Sequence, residues 1–113
     1  MNDPLLINVA FTRLQVLGAC GPALHWLRSQ SDLRLAWESC QNGHWMYWLL
    51  TRLFVDRPTR ELAFSTSWDA MYRYRSDPRN VPGADAEYAL RADAIRSIVS
   101  FETLWEAYER TFA

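Results

Sequence analysis

The chain has no lysine; all twelve of its basic residues are arginines. A GC-rich coding composition produces that bias, and arginine also supplies a planar, weakly hydrated fork that suits interfaces. Charge of one sign is not in excess either. Twelve basic against thirteen acidic residues leave a net charge of −1, which fits neither a strongly basic nucleic-acid binder nor a strongly acidic nucleic-acid mimic. Near-neutrality favours a protein partner. Two cysteines in 113 residues are too few for a secreted disulfide scaffold. Four scattered glycines make no phosphate-binding loop. No uninterrupted apolar run approaches about 18 residues, as a membrane span requires. The opening MNDPLLINVAFTRL lacks a basic region ahead of an apolar run, so a cytoplasmic location is expected.

Half the residues are hydrophobic, 14% are aromatic and 22% are charged, a globular composition far from the polar signature of disorder. At this length one domain, residues 1–113, is expected. Leu17 to Asp56 hold four of the six tryptophans and both cysteines, so the core is expected to assemble around them. From His44 the apolar positions Trp45, Trp48, Leu49, Leu53 and Phe54 recur at three- and four-residue intervals, broadened by Met46, Leu50 and Val55, which reads as a central helix touched on more than one side. Asn42-Gly43 suits a C-cap for the helix before it.

Residues 1–11 read either as an extended arm or as the start of a helix. Thr12 is a candidate N-cap for a short helix ending at Gly18. Pro22 opens a helix to Arg28, and Ser31 with Asp32 caps the next, which turns Leu33, Ala36, Trp37 and Cys40 to one face. Thr59 is the candidate cap for a helix over Arg60 to Tyr74, with Leu62, Ala63, Trp68, Met71 and Tyr72 as its apolar stripe. Residues 76–83, SDPRNVPG, carry two prolines, a glycine, Asp77 and Asn80 and read as a loop. A helix from Ala84 turns Tyr88, Ala92, Ile95 and Val99 inward and Arg91, Asp93 and Arg96 outward. Ser100 can cap a last helix bearing Phe101, Leu104, Trp105 and Tyr108. Period-two alternation is absent beyond the first ten residues. The fold class expected is therefore all-α: a compact bundle of five to seven mostly short helices around a tryptophan-rich central one.

Few residues suggest chemistry. Cys20, His25, Cys40 and His44 are the one soft-ligand set, and zinc accepts such ligands. Each Cys-to-His pair straddles a helix boundary among bulky aromatics instead of forming a tight knuckle. Buried thiols packing as apolar groups, with two partly exposed histidines, is the plainer reading, and no cofactor is expected. Ser65, Thr66 and Ser67 lack a nucleophile elbow, and Glu102 with Glu106 fits a solvated helix face, so no enzyme is expected. Trp68, Tyr72, Arg73, Tyr74, Arg75 and Arg79 interleave aromatic rings with arginine, a combination enriched in binding hot spots and also usable on single-stranded nucleic acid. Asp69 and Asp77 nearly offset the arginines, which favours protein over direct nucleic-acid recognition.

Leu17-Gly18-Ala19-Cys20, then Ala23 and Trp26, Ala36-Trp37 with Cys40, and Trp45-Met46 followed by Trp48-Leu49 form an ordered pattern. With Ala92-Asp93 and Ile95-Arg96 later in the chain, it resembles a family of small helical immunity-type proteins found beside bacterial toxins and in phage genomes. The resemblance covers about half the chain. His44 stands where the family more often has an acidic residue, Gly21-Pro22 opens the second helix, and Phe101 to Ala113 looks like an addition. The resemblance implies a non-enzymatic inhibitor in the host or bacterial cytoplasm, immunity-like or anti-defence (for example anti-CRISPR). Its partner would be a toxin or host defence effector. It supplies no catalytic residues. The alternative from the residues alone is a small metal- or nucleic-acid-binding regulator. The aromatic excess is also compatible with a homodimer.

Overall fold

The computed structural model describes residues 4–81 and 83–113. Among them are seven helices and no strand: α1 (Pro4–Leu17), α2 (Gly21–Arg28), α3 (Leu33–Ser39), α4 (Gly43–Arg52), α5 (Arg57–Ser76), α6 (Ala84–Ile98) and α7 (Phe101–Thr111). The all-helical expectation therefore holds. The chain falls into two compact units, one ending at Ser39 and the other running Cys40–Ala113.

In the first unit, α1 packs on α2. The extended-arm alternative fails for residues 4–11, which are helical, while residues 1–3 lie outside the described residues. Pro4 opens the helix, where its missing N–H costs nothing. Thr12 is therefore no cap: it lies inside α1, and its hydroxyl donates to the Asn8 carbonyl at 3.3 Å. Gly18 ends the helix with φ 97°. Its N–H donates to the Gln15 carbonyl and that of Ala19 to the Leu14 carbonyl, which satisfies two otherwise orphaned acceptors. Asp32 caps α3, its carboxylate accepting from the Leu35 N–H at 2.8 Å. The buried side chains here are Ile7, Ala10, Leu24, Leu27, Ala36 and Trp37. The Arg28 guanidinium covers the Phe11 ring at 3.9 Å.

In the second unit, α4 packs on both α5 and α6, and α5 lies along α6. The expected C-cap at Asn42-Gly43 is corrected, because Asn42 caps forward. Its side chain accepts from the Trp45 N–H at 3.1 Å, and Gly43 is the first residue of α4, without positive φ. Glycine is needed there for closeness: a Cβ on Gly43 would lie 2.5 Å from Cβ of Arg91 and 2.7 Å from the Ala92 nitrogen. Phe54, expected inward, is instead 65% exposed in the turn after α4, while Leu53 and Val55 are buried.

Asp56, and not Thr59, is the N-cap of α5, accepting from the Thr59 N–H at 3.0 Å. Ala63, Ser67 and Met71, spaced at i, i+4 and i+8, form the buried stripe of α5. Leu62 and Tyr72, expected in that stripe, are exposed. α5 runs through Ser76, so the loop expected over 76–83 begins one residue later, at Asp77, and Pro82 lies outside the described residues. Ser100 caps α7 as expected, and Phe101, Leu104, Ala107 and Tyr108 are buried. The end of α7 is tied to the turn after α4, where Thr111 Oγ1 accepts from the Phe54 N–H at 2.9 Å.

Arg91 is a further correction. Expected on the outer face of α6, it is buried at 8% exposure. Arg96, also expected outward, is half-buried; it donates to the Cys40 carbonyl and pairs with Asp93 at 2.6 Å. Trp37 alone of the six tryptophans is fully buried, and the other five are half-buried. An indole is too large for a chain of this size to enclose repeatedly.

Candidate protein-binding surface

Helix α5 positions most of the residues singled out by sequence. Its small buried stripe, Ala63 and Ser67, leaves the aromatic residues on the adjoining flank. Phe64, Trp68 and Tyr72 follow one another at i, i+4 and i+8, and such spacing stacks side chains along one side of a helix. Phe64 and Trp68 have ring centroids 5.9 Å apart, and Trp68 and Tyr72 are 5.7 Å apart. Tyr47 from α4 extends the row, 5.1 Å from Phe64. Trp68 is half-buried, whereas Phe64 and Tyr72 are 42% and 55% exposed. A continuous aromatic row with open outer edges is unusual on a surface otherwise of mixed polarity.

The arginines of the predicted segment divide by their partners. Arg75 pairs with Glu87 of α6, and its guanidinium is pushed above its ordinary range chiefly by that hydrogen bond. Arg79 pairs with Asp77 at 2.7 Å, and Arg79 in turn holds the Asp77 carboxyl below the usual carboxylate range. Both are latches at the end of α5. Arg73 is exposed and forms no ion pair among the described residues. It borders a shallow depression lined by Asp69, Tyr72, Ser76 and Asp77. Tyr74 is half-buried, with its hydroxyl donating to the Val81 carbonyl and its carbonyl accepting from the Asn80 side-chain amide at 3.0 Å. Tyr74 is thus a loop fastener. Of the six residues, Trp68, Tyr72 and Arg73 are the ones disposed to meet a partner.

Phe64 and Tyr47 belong to this surface and were not singled out by sequence. The four-residue spacing of Phe64, Trp68 and Tyr72 carries the signal for Phe64. Tyr47 comes from another helix, and no local pattern announces it. Arg91 also reaches the surface row from α6, with its guanidinium carbon 5.0 Å from the Trp68 ring centroid.

The Cys/His set behaves otherwise. Cys20 is exposed, not buried as expected, and Cys40 is buried. His25 and His44 are exposed. Burial pushes the Cys40 thiol up, against a backbone hydrogen bond from Asn42 and the charge of Arg96. Among the described residues no three His, Cys, Asp or Glu side chains gather as metal ligands. The hydroxyls of Ser65 and Ser67 donate to the helix carbonyls of Leu62 and Phe64. No helix of the described residues is long and apolar enough to cross a membrane. Comparisons with protein-family models, curated proteins and solved structures find no match for this chain.

Proposed function

We propose that this chain is a non-enzymatic binding protein that blocks or sequesters a partner protein, and that the aromatic flank of α5 is its contact surface. The observation that carries the reading is the row Phe64, Trp68 and Tyr72, held in line by edge-on and tilted ring contacts yet open at its outer edges, with the exposed guanidinium of Arg73 on the same helix. Tyrosine, tryptophan and arginine dominate the energetics of protein interfaces because they bury large areas at low entropic cost. A stable complex needs about 800 Å² from each partner, an area within reach of a helix of this length and its neighbours. The pairing of Arg75 and Arg79 with carboxylates withdraws positive charge that a nucleic-acid surface would need. The resemblance to immunity-type proteins gives the reading its biological form: a phage- or bacterium-encoded inhibitor acting on a toxin or a defence effector in the cytoplasm.

The test is affinity capture of the tagged protein from its native host at high salt, with the Phe64→Ala/Tyr72→Ala variant alongside. Capture of one host protein by the parent and its loss from the variant supports the reading. Equal capture by both removes this surface. Salt-sensitive recovery of nucleic acid in place of a protein overturns the reading itself.

A further inference from the structure

Asp69, Tyr72, Arg73 and Ser76 line the shallow depression on α5, and all four are exposed. Their spacing is i, i+3, i+4 and i+7, the outline of the hole that receives one side chain when two helices interlock. Asp69 and Arg73 stand one turn apart, yet neither forms an ion pair with the other or with any described residue. Arg57 and Arg75 of the same helix, by contrast, each have a carboxylate, Glu61 and Glu87. A hole, a projecting tyrosine ring and two unpaired charges of opposite sign on one stripe are what a face needs to fit its own copy. Across a two-fold axis residue i meets residue j and j meets i. With α5 antiparallel to its copy and the axis level with Met71 and Tyr72, the Tyr72 ring of each chain enters the depression of the other. Asp69 of each then comes beside Arg73 of the other, at both ends of the contact. Parallel pairing would set Asp69 against Asp69 and Arg73 against Arg73. The net charge of −1 puts little long-range repulsion between copies.

We infer that α5 pairs antiparallel with the α5 of a second copy of this chain, about a two-fold axis, and so covers its own aromatic flank when no partner is bound. The pairing needs only this chain; its consequence, that partner and second copy compete for one face, rests on the protein-binding reading. A single helix pair stands at the low end of interface sizes, so the dimer is weak and forms at concentrations on the order of 100 μM.

Sedimentation equilibrium of the full chain in low salt, over a concentration series, tests the pairing without the partner. The mass of the parent should rise from the 13.2 kDa of one chain toward twice that value. Asp69→Arg and Arg73→Asp should each associate at least about tenfold more weakly, because each sets like charges against each other at both ends of the contact. Mixed in equal amounts, the two variants should pair with one another, and the double variant Asp69→Arg/Arg73→Asp should recover the dimer. Recovery on mixing decides the matter even if one variant melts lower, since two misfolded chains do not restore a specific contact. A parent that stays a single chain throughout, a dimer that survives both single reversals, or variants that fail to pair when mixed overturns the proposal. If the dimer fails while host-protein capture still depends on Phe64 and Tyr72, protein binding stands and self-pairing falls. If the dimer forms and no host protein is captured, self-pairing stands and the protein-binding reading falls.

Discussion

Gly43 on α4 and Arg91 on α6 approach so closely that a Cβ on the glycine would lie 2.5 Å from Cβ of the arginine. The neighbouring Ala92 nitrogen and Arg91 carbonyl carbon, each 2.7 Å from that point, are backbone atoms of a helix and cannot rotate away. The contact sets the spacing of α4 and α6 and holds the stem of Arg91 in place.

Gly43→Ala therefore forces the two helices apart. Alanine gains helix propensity, by up to about 1 kcal/mol, but at the first position of α4 little of that is realised. Overpacking dominates, and a net loss of about 1–3 kcal/mol is expected. Urea unfolding followed by circular dichroism measures it; an unchanged midpoint would show that α4 and α6 do not touch as described.

Asp56 links stability to pH. The Thr59 N–H and hydroxyl both donate to its carboxylate, at 3.0 and 2.8 Å. These bonds, the backbone one foremost, hold the carboxyl below the usual range. A carboxyl lower in the folded than in the unfolded chain contributes stability above its unfolded titration and loses it as pH falls through the folded one. Asp56→Ala should thus be less stable than the parent at neutral pH, and the gap should narrow in acid. Paired thermal melts across the acid range check this; a gap independent of pH would separate the loss from the carboxylate.

The cysteines should differ in reactivity. Cys20 is exposed, whereas Cys40 is 5% exposed with its thiol pushed up by burial. Thiolate and access both govern reaction rate. An aromatic disulfide reagent should label one thiol quickly in the folded protein and the second on unfolding, and Cys20→Ser should remove the fast phase. Two fast equivalents in the native state would contradict the burial of Cys40.

Ile95 and Tyr72 separate core from surface. Ile95 is fully buried on α6 and Tyr72 is 55% exposed on α5. Ile95→Ala should cost about 2–5 kcal/mol. Tyr72→Ala should stay within about 0.5 kcal/mol of the parent while weakening partner capture. Denaturant melts of both variants, with the capture assay for Tyr72→Ala, test the assignment.

Charge reversal at Arg73 and at Arg75 should have different consequences. Arg73 has no ion-pair partner among the described residues, so Arg73→Glu should weaken partner capture and leave helix content and melting unchanged. Arg75→Glu faces Glu87 and should loosen the end of α5 as well. Circular dichroism melts beside the capture assay distinguish them; equal melting of the two variants would deny the latch.

Much of this architecture was legible before any tertiary contact was known. Helical periodicity, Pro22 at a helix start, Gly18 at a helix end and the caps at Asp32 and Ser100 are local effects, decided within a few residues of backbone, and each has its expected role. The departures are of two kinds, a cap assigned to the wrong residue and a face assigned the wrong cover. Thr12 and Thr59 were plausible caps whose places were taken by a longer helix and by Asp56. Periodicity marks a face without saying what covers it, so Phe54, Leu62 and Tyr72 seemed as fit for the core as Leu53 and Met71.

The sequence by itself determined that the chain would be helical, because its apolar residues recur at helical spacing and its breakers fall between those runs. Tertiary structure alone decided that Gly43 serves closeness rather than a turn and that Arg91 lies against an indole. Those outcomes depend on which helix stands beside which, and contacts between residues on separate helices, far apart in the chain, leave no trace in any local pattern.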